Sequence, residues 1–196
     1  MSASLISEEL AKRLKAMANA QQAMDQEAGD TWTKDLEPIF KAAPSRATLT
    51  KLRGEVSRAS ADAEGQIRDV PSSISIQLML LKDFTTDASP GPDAGEVHLS
   101  EELAKKIKAL AATHQELENL AAAVWKDELM PIFEANPTRE ICEQLRAEVT
   151  RAAADDEGLL RDLPANIDIS LKMLRFDPRT KGQPDSSAPA ARRPRP

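Results

Sequence analysis

Ile6-Ser7-Glu8-Glu9-Leu10-Ala11-Lys12 returns 93 positions later as Leu99-Ser100-Glu101-Glu102-Leu103-Ala104-Lys105, and the correspondence runs without a gap to Leu81 and Leu174. About 36 of the 76 paired positions are identical, far beyond chance, so one unit of sequence is written twice. Working outward, residues 1–84 form helical repeat 1 and residues 99–177 helical repeat 2. Between them, residues 85–98 are rich in Pro, Gly and small polar side chains, a composition that sustains neither helix nor core and reads as a linker. Residues 178–196 combine Pro, Ala and Arg with too little apolar surface to offset ordering entropy, and are expected to be a disordered basic tail.

Within the first repeat Leu10, Leu14, Met17, Gln21, Met24, Ala28 and Thr31 follow one another at spacings of four and three. The second repeat holds Leu103, Ile107, Leu110, His114, Leu117, Ala121 and Val124 in the same register. That spacing predicts a long amphipathic helix of coiled-coil type in each copy. Ser7 and Ser100 stand where an N-cap belongs, each followed by two glutamates that suit the positive end of the helix dipole. Pro38 and Pro131 fall inside the pattern and each removes a backbone donor, which predicts a bend or a restart there.

Ser45 and Thr138 are set to cap a second helix, with apolar positions Leu49, Leu52, Val56, Ala59 and Ile67, or Cys142, Leu145, Val149, Ala152 and Leu160. The short connection predicts a helical hairpin. Extended to Ile67, that second helix is still too short to cover the stripe of Leu10, Leu14 and Met17, since a helix advances about 1.5 Å per residue. The stripe must be covered by the third segment, by the other copy or by another chain. The fold class expected is therefore mainly α: a tandem duplication of a long-helix hairpin plus a short third segment, packed as a pseudo-dimeric helical bundle. For the third segment, residues 74–81 and 167–174, both a strand and a helix fit. Alternation of apolar residues suggests a strand, whereas Ile74, Leu78 and Leu81 make a helical stripe and the Leu, Met, Lys and Gln content favours the helix.

Composition narrows the function. The net charge is −6, from 26 basic and 32 acidic residues, which argues against a surface that coats nucleic acid. A single cysteine, Cys142, excludes an internal disulfide and suits a reducing, cytoplasmic setting; it replaces Leu49 of the first copy and reads as a small core residue. No apolar run approaches the length of a membrane span or a signal sequence, so the chain reads as soluble and unprocessed, with no membrane partner. His98 and His114 are the only histidines and neither has a second histidine at ligand spacing. No phosphate loop, nucleophile elbow or defensible carboxylate pair is present, so no catalytic residue, metal or cofactor is assigned.

Two features remain as candidate binding sites. Trp32 and Phe40, with their counterparts Trp125 and Phe133, fit the filled end of a hairpin, and also fit a groove for a partner helix. Arg192, Arg193 and Arg195 interleave with prolines in the tail, as an extended ligand for an acidic surface would. The charges Arg53, Glu55, Arg58, Asp62, Glu64, Arg68 and Asp69 all recur in the second copy and read as a surface network of i, i+4 pairs. Gly65 and Gly158 suit a close helix approach, or a break before the proline that follows. These readings lead to a non-enzymatic adaptor or structural protein with protein partners, a homo-oligomer among them. The alternative is a small-ligand or sensory bundle with an apolar pocket between the repeats.

Overall fold

A serine starts each long helix as its sequence predicts: in a computed structural model of the chain, the Leu10 N–H donates to Ser7 Oγ and the Leu103 N–H to Ser100 Oγ, both at 3.1 Å. The structure describes residues 3–43, 45–81, 97–135 and 138–174. The first copy forms α1 (Glu8–Asp30), α2 (Glu37–Ala42), α3 (Arg46–Ala59) and α4 (Ser72–Leu80). The second forms α5 (Glu101–Val124), α6 (Met130–Ala135), α7 (Arg139–Ala152) and α8 (Ala165–Leu174). Among the described residues there is no strand, only the isolated bridges Ala61 to Ile67 and Ala154 to Leu160. The third segment is thus helical in both copies, and the strand alternative falls.

Between α1 and α2, and between α5 and α6, the helix widens into a π-helical stretch, Thr31–Leu36 and Trp125–Leu129. The Glu37 N–H donates to the Trp32 carbonyl and the Met130 N–H to the Trp125 carbonyl, five residues back rather than four. Pro38 and Pro131 explain the change. An α-helical proline presses its ring on the carbonyl four residues earlier, and a wider turn just before it relieves that clash while keeping the chain helical. Each copy therefore opens with a bent helix of 35 residues.

All fourteen positions of the predicted stripe are buried, including polar Gln21, Thr31 and His114. The second helix differs from expectation. α3 and α7 have 14 residues each and stop at Ala59 and Ala152, so Ile67 and Leu160 are not core positions but lie exposed. Backbone competition ends the helix: Asp62 Oδ1 accepts from the Glu64 and Gln66 N–H groups, and Asp155 Oδ1 from those of Glu157 and Leu159, each at 2.9 Å. Gly65 and Gly158 follow with φ near +81° and +82°, a conformation that only glycine takes at no steric cost. The predicted i, i+4 pairs of Arg58 with Asp62 and Glu64 with Arg68 therefore have no common helix to lie on.

The described residues group into two compact units that cut across the repeats: one from Met1–Lys15 and Ala121–Pro196, the other Ala16–Leu120. In the Ala16–Leu120 unit a single core joins Met24, Ala28, Trp32, Leu36, Phe40, Leu49, Leu52, Val56 and Ile74 of the first copy to Leu103, Ile107, Leu110 and Leu117 of the second. The start of α5 is thus covered by the other copy. In the remaining unit Ile6, Leu10 and Leu14 are buried together with Leu129, Phe133, Cys142, Leu145, Val149, Ile167, Leu171 and Leu174. A fully buried leucine or isoleucine stabilises by about 1.5–3 kcal/mol, so these stripes account for much of each core.

Candidate interaction surfaces

The aromatic residues singled out in the sequence sit mostly inside. Trp32 and Phe40 are buried and stack with ring centroids 5.6 Å apart at 29°, in the core of the Ala16–Leu120 unit. Phe133 is buried in the other unit, and Trp125 is half-buried. Trp32 lies in the π-helical stretch and Phe40 on α2, so the stacked rings span the bend of the long helix. Arg192, Arg193 and Arg195, with the rest of the tail and most of the linker, lie outside the described residues.

One recurring pair of contacts was not legible locally. Glu55 on α3 accepts the Leu99 N–H on Oε2 at 2.9 Å and meets His98 Nδ1 on Oε1 at 2.8 Å. Its counterpart Glu148 on α7 accepts the Leu5 and Ile6 N–H groups at 2.8 and 3.1 Å and the Ser4 hydroxyl at 3.0 Å, all on Oε2. Each glutamate thus clasps the residues that lead into the other copy's long helix. Burial pushes the Glu55 carboxyl up, but the Leu99 N–H, the hydrogen bond and charge of His98 and the charge of Lys51 outweigh it, leaving it below the usual carboxylate range. Burial likewise acts against the Glu148 charge, and the hydrogen bonds from Gln144, Ile6, Ser4 and Leu5 overcome it. An ion pair in each unit repeats the arrangement: Lys106 Nζ to Asp35 Oδ2 at 2.8 Å in one, and Arg13 with Glu128 in the other.

The helix of the third segment, α4, is apolar on more than one face. Ile74 is buried while Leu78 and Leu81 pack partly on the core, and Arg53 Nη2 reaches the Leu78 carbonyl at 2.9 Å to hold α4 against α3. On the far side Ile76, Met79 and Leu80 are 50%, 52% and 58% exposed, joined by Ile67 at 68%. Ile67 and Ile76 with Val70 line one cleft of about 580 Å³, which Ser57, Ser60, Arg68, Asp69, Ser72, Ser75 and His114 complete. His114 is buried and its Nδ1 has no hydrogen-bond partner among the described residues.

The second copy repeats the face. Ile167, Leu171 and Leu174 of α8 are buried, and Ile169 and Met173 are more than half exposed, with Leu159 and Leu160 on the preceding turn. A surface helix ordinarily keeps its outer side polar, and scattered apolar residues need no account, but a cluster recurring at the same repeat positions does. The apolar alternation from Ile74 to Leu80 is the signal the sequence carries for this face, and it fits a strand as well as a helix.

Among the described residues no group of three or more His, Cys, Asp or Glu could hold a metal ion, and no helix is long and apolar enough to cross a membrane. Set against protein-family models, curated proteins and solved structures, the chain shows no match.

Proposed function

We propose that this chain is a non-enzymatic interaction protein, an adaptor or structural component that presents one apolar helix face twice. The observation that carries the reading is the pairing of Ile67, Ile76 and Leu80 with Leu160, Ile169 and Met173, exposed apolar residues kept at matching positions by copies that differ at half their sites. Exposed methyl and methylene groups recover about 25 cal/mol per Å² when a partner covers them, so a face held open in both copies suits protein docking better than solvation.

A photo-crosslinking residue placed at Ile76 tests this, with one at exposed Gln26 on α1 as the control. In the protein's native setting, Ile76 is expected to yield discrete adducts that Leu80→Glu abolishes while the melting temperature stays within a few degrees, as surface substitutions ordinarily do. Equal adducts from Gln26, or none from Ile76, would remove the reading.

A second reading rests on His114. Its unpartnered Nδ1, beside the serine-rich cleft with Arg68, suits a small polar ligand rather than the apolar one expected between the repeats. Displacement of the His114 imidazole resonances by a small-molecule panel would favour that cleft.

A further inference from the structure

The contacts that tie the start of each long helix to the opposite copy fall into matched pairs. The Leu99 N–H on Glu55 and the Ile6 N–H on Glu148 occupy the same repeat position, as do Lys106 with Asp35 and Arg13 with Glu128. In the ion pairs the residue type changes while the sign of charge does not: Arg stands for Lys and Glu for Asp. The copies could therefore trade places without loss of complementarity. Arg13 would meet Asp35, Lys106 would meet Glu128, and each glutamate would still find the N–H at position 6 or 99. The apolar stripe follows the same rule, with Leu10, Leu14 and Met17 answered by Leu103, Ile107 and Leu110, all buried. Two contacts depart from it. His98 stands where the first copy has Leu5, and the Lys15–Asp156 ion pair would be replaced by Lys15 beside Ala63 at one site and Lys108 facing Asp156 at the other.

We infer that a second copy of this chain is a partner, joined by exchange of repeats, with the start of its long helix seated on the α2–α3 or α6–α7 hairpin of the first chain. Joining the repeats in one chain gives each an effective concentration of about millimolar for the other, so the closed monomer prevails when dilute and exchange grows as protein concentration approaches that value. The apolar faces of α4 and α8 take no part in this contact, so the inference stands or falls separately from the proposed function.

Charge reversal in full-length chains tests it. One chain carries Lys106→Glu and Glu128→Arg, the other Arg13→Glu and Asp35→Lys. Each alone places like charges at both of its own ion-pair sites, whereas repeats exchanged between the two chains restore four opposite pairs. Unfolded together and refolded at high concentration, the chains are expected to give a species of twice the mass containing both, melting above either chain refolded alone. Dimers of like with like support the inference equally, because Arg13 then meets Asp35 of another molecule. Monomers only, each melting as it does by itself, would overturn it. Should the reversed chains fail to fold, two differently tagged wild-type chains refolded at rising concentration give the answer: mixed dimers support exchange, and monomers throughout reject it.

Discussion

The two clasping glutamates occupy one repeat position and perform one task with different donors. Glu148 gathers two backbone N–H groups, a serine hydroxyl and the Gln144 amide, none of which changes charge, whereas Glu55 holds one backbone N–H and an imidazole ring. The copies have kept the acceptor and let its surroundings drift. A carboxylate facing main-chain donors is indifferent to which side chains those residues carry, so the clasp survives the change from Leu5 to His98. Its strength in each unit is then a matter of how many donors remain.

The sharpest way to break the comparison lies beneath the clasps. Leu14 and Ile107 are the same stripe position in the two units, both with no exposed surface. Leu14→Ala and Ile107→Ala are each expected to cost about 3 kcal/mol in chemical denaturation, by loss of transfer energy and by the cavity left behind. Near-equal losses would mean the units are equally well covered. Next come the clasps: Glu148→Ala is expected to cost about 2 kcal/mol and Glu55→Ala about 1 kcal/mol, in the order of the donors each leaves unpaired. The reverse order in urea melts would show that His98 and Lys51 hold Glu55 more firmly than a count of hydrogen bonds allows.

The smallest effect is in the response to acid. Both carboxyls are held below their ordinary value of 4.5, so the stability they contribute is fully present above that value and is lost as pH falls through the lower folded one. Restoring the first copy's residue with His98→Leu removes a hydrogen bond and a charge that favour ionised Glu55. The Glu55 carboxyl should then titrate at higher pH in a carboxyl NMR titration, while Glu148 stays unmoved. A shift at Glu148 as well would mean that the clasps are not independent.

Much of the fold was legible because its determinants are local. Every position of the four-and-three stripe is buried, Ser7 and Ser100 announced the caps of the long helices, and Pro38 and Pro131 marked the bend; Ala18 and Ala111, buried beside the stripe, escaped it. Periodicity misled at Ile67 and Leu160, which continue the stripe in number but lie beyond a turn that the Asp62 and Asp155 side chains impose. The clasps were hidden for another reason. Glu55 and Glu148 were visible as retained charges, yet their partners lie 44 and 142 residues away and present main-chain N–H groups, which no side-chain pattern records. The requirement that each stripe find cover outside its own hairpin was sound arithmetic, and the Ala16–Leu120 core meets it with Leu103, Ile107 and Leu110.

One rod of backbone, Glu8–Asp30, begins in one compact unit and finishes in the other, and Glu101–Val124 does the same. Because each of these helices contributes turns to both units, fraying that starts in one is expected to run along hydrogen bonds that the other also uses. Heating is accordingly expected to unfold both interiors in one calorimetric transition, and a chain cut to a single copy is expected to lack part of each interior unless a second polypeptide supplies it.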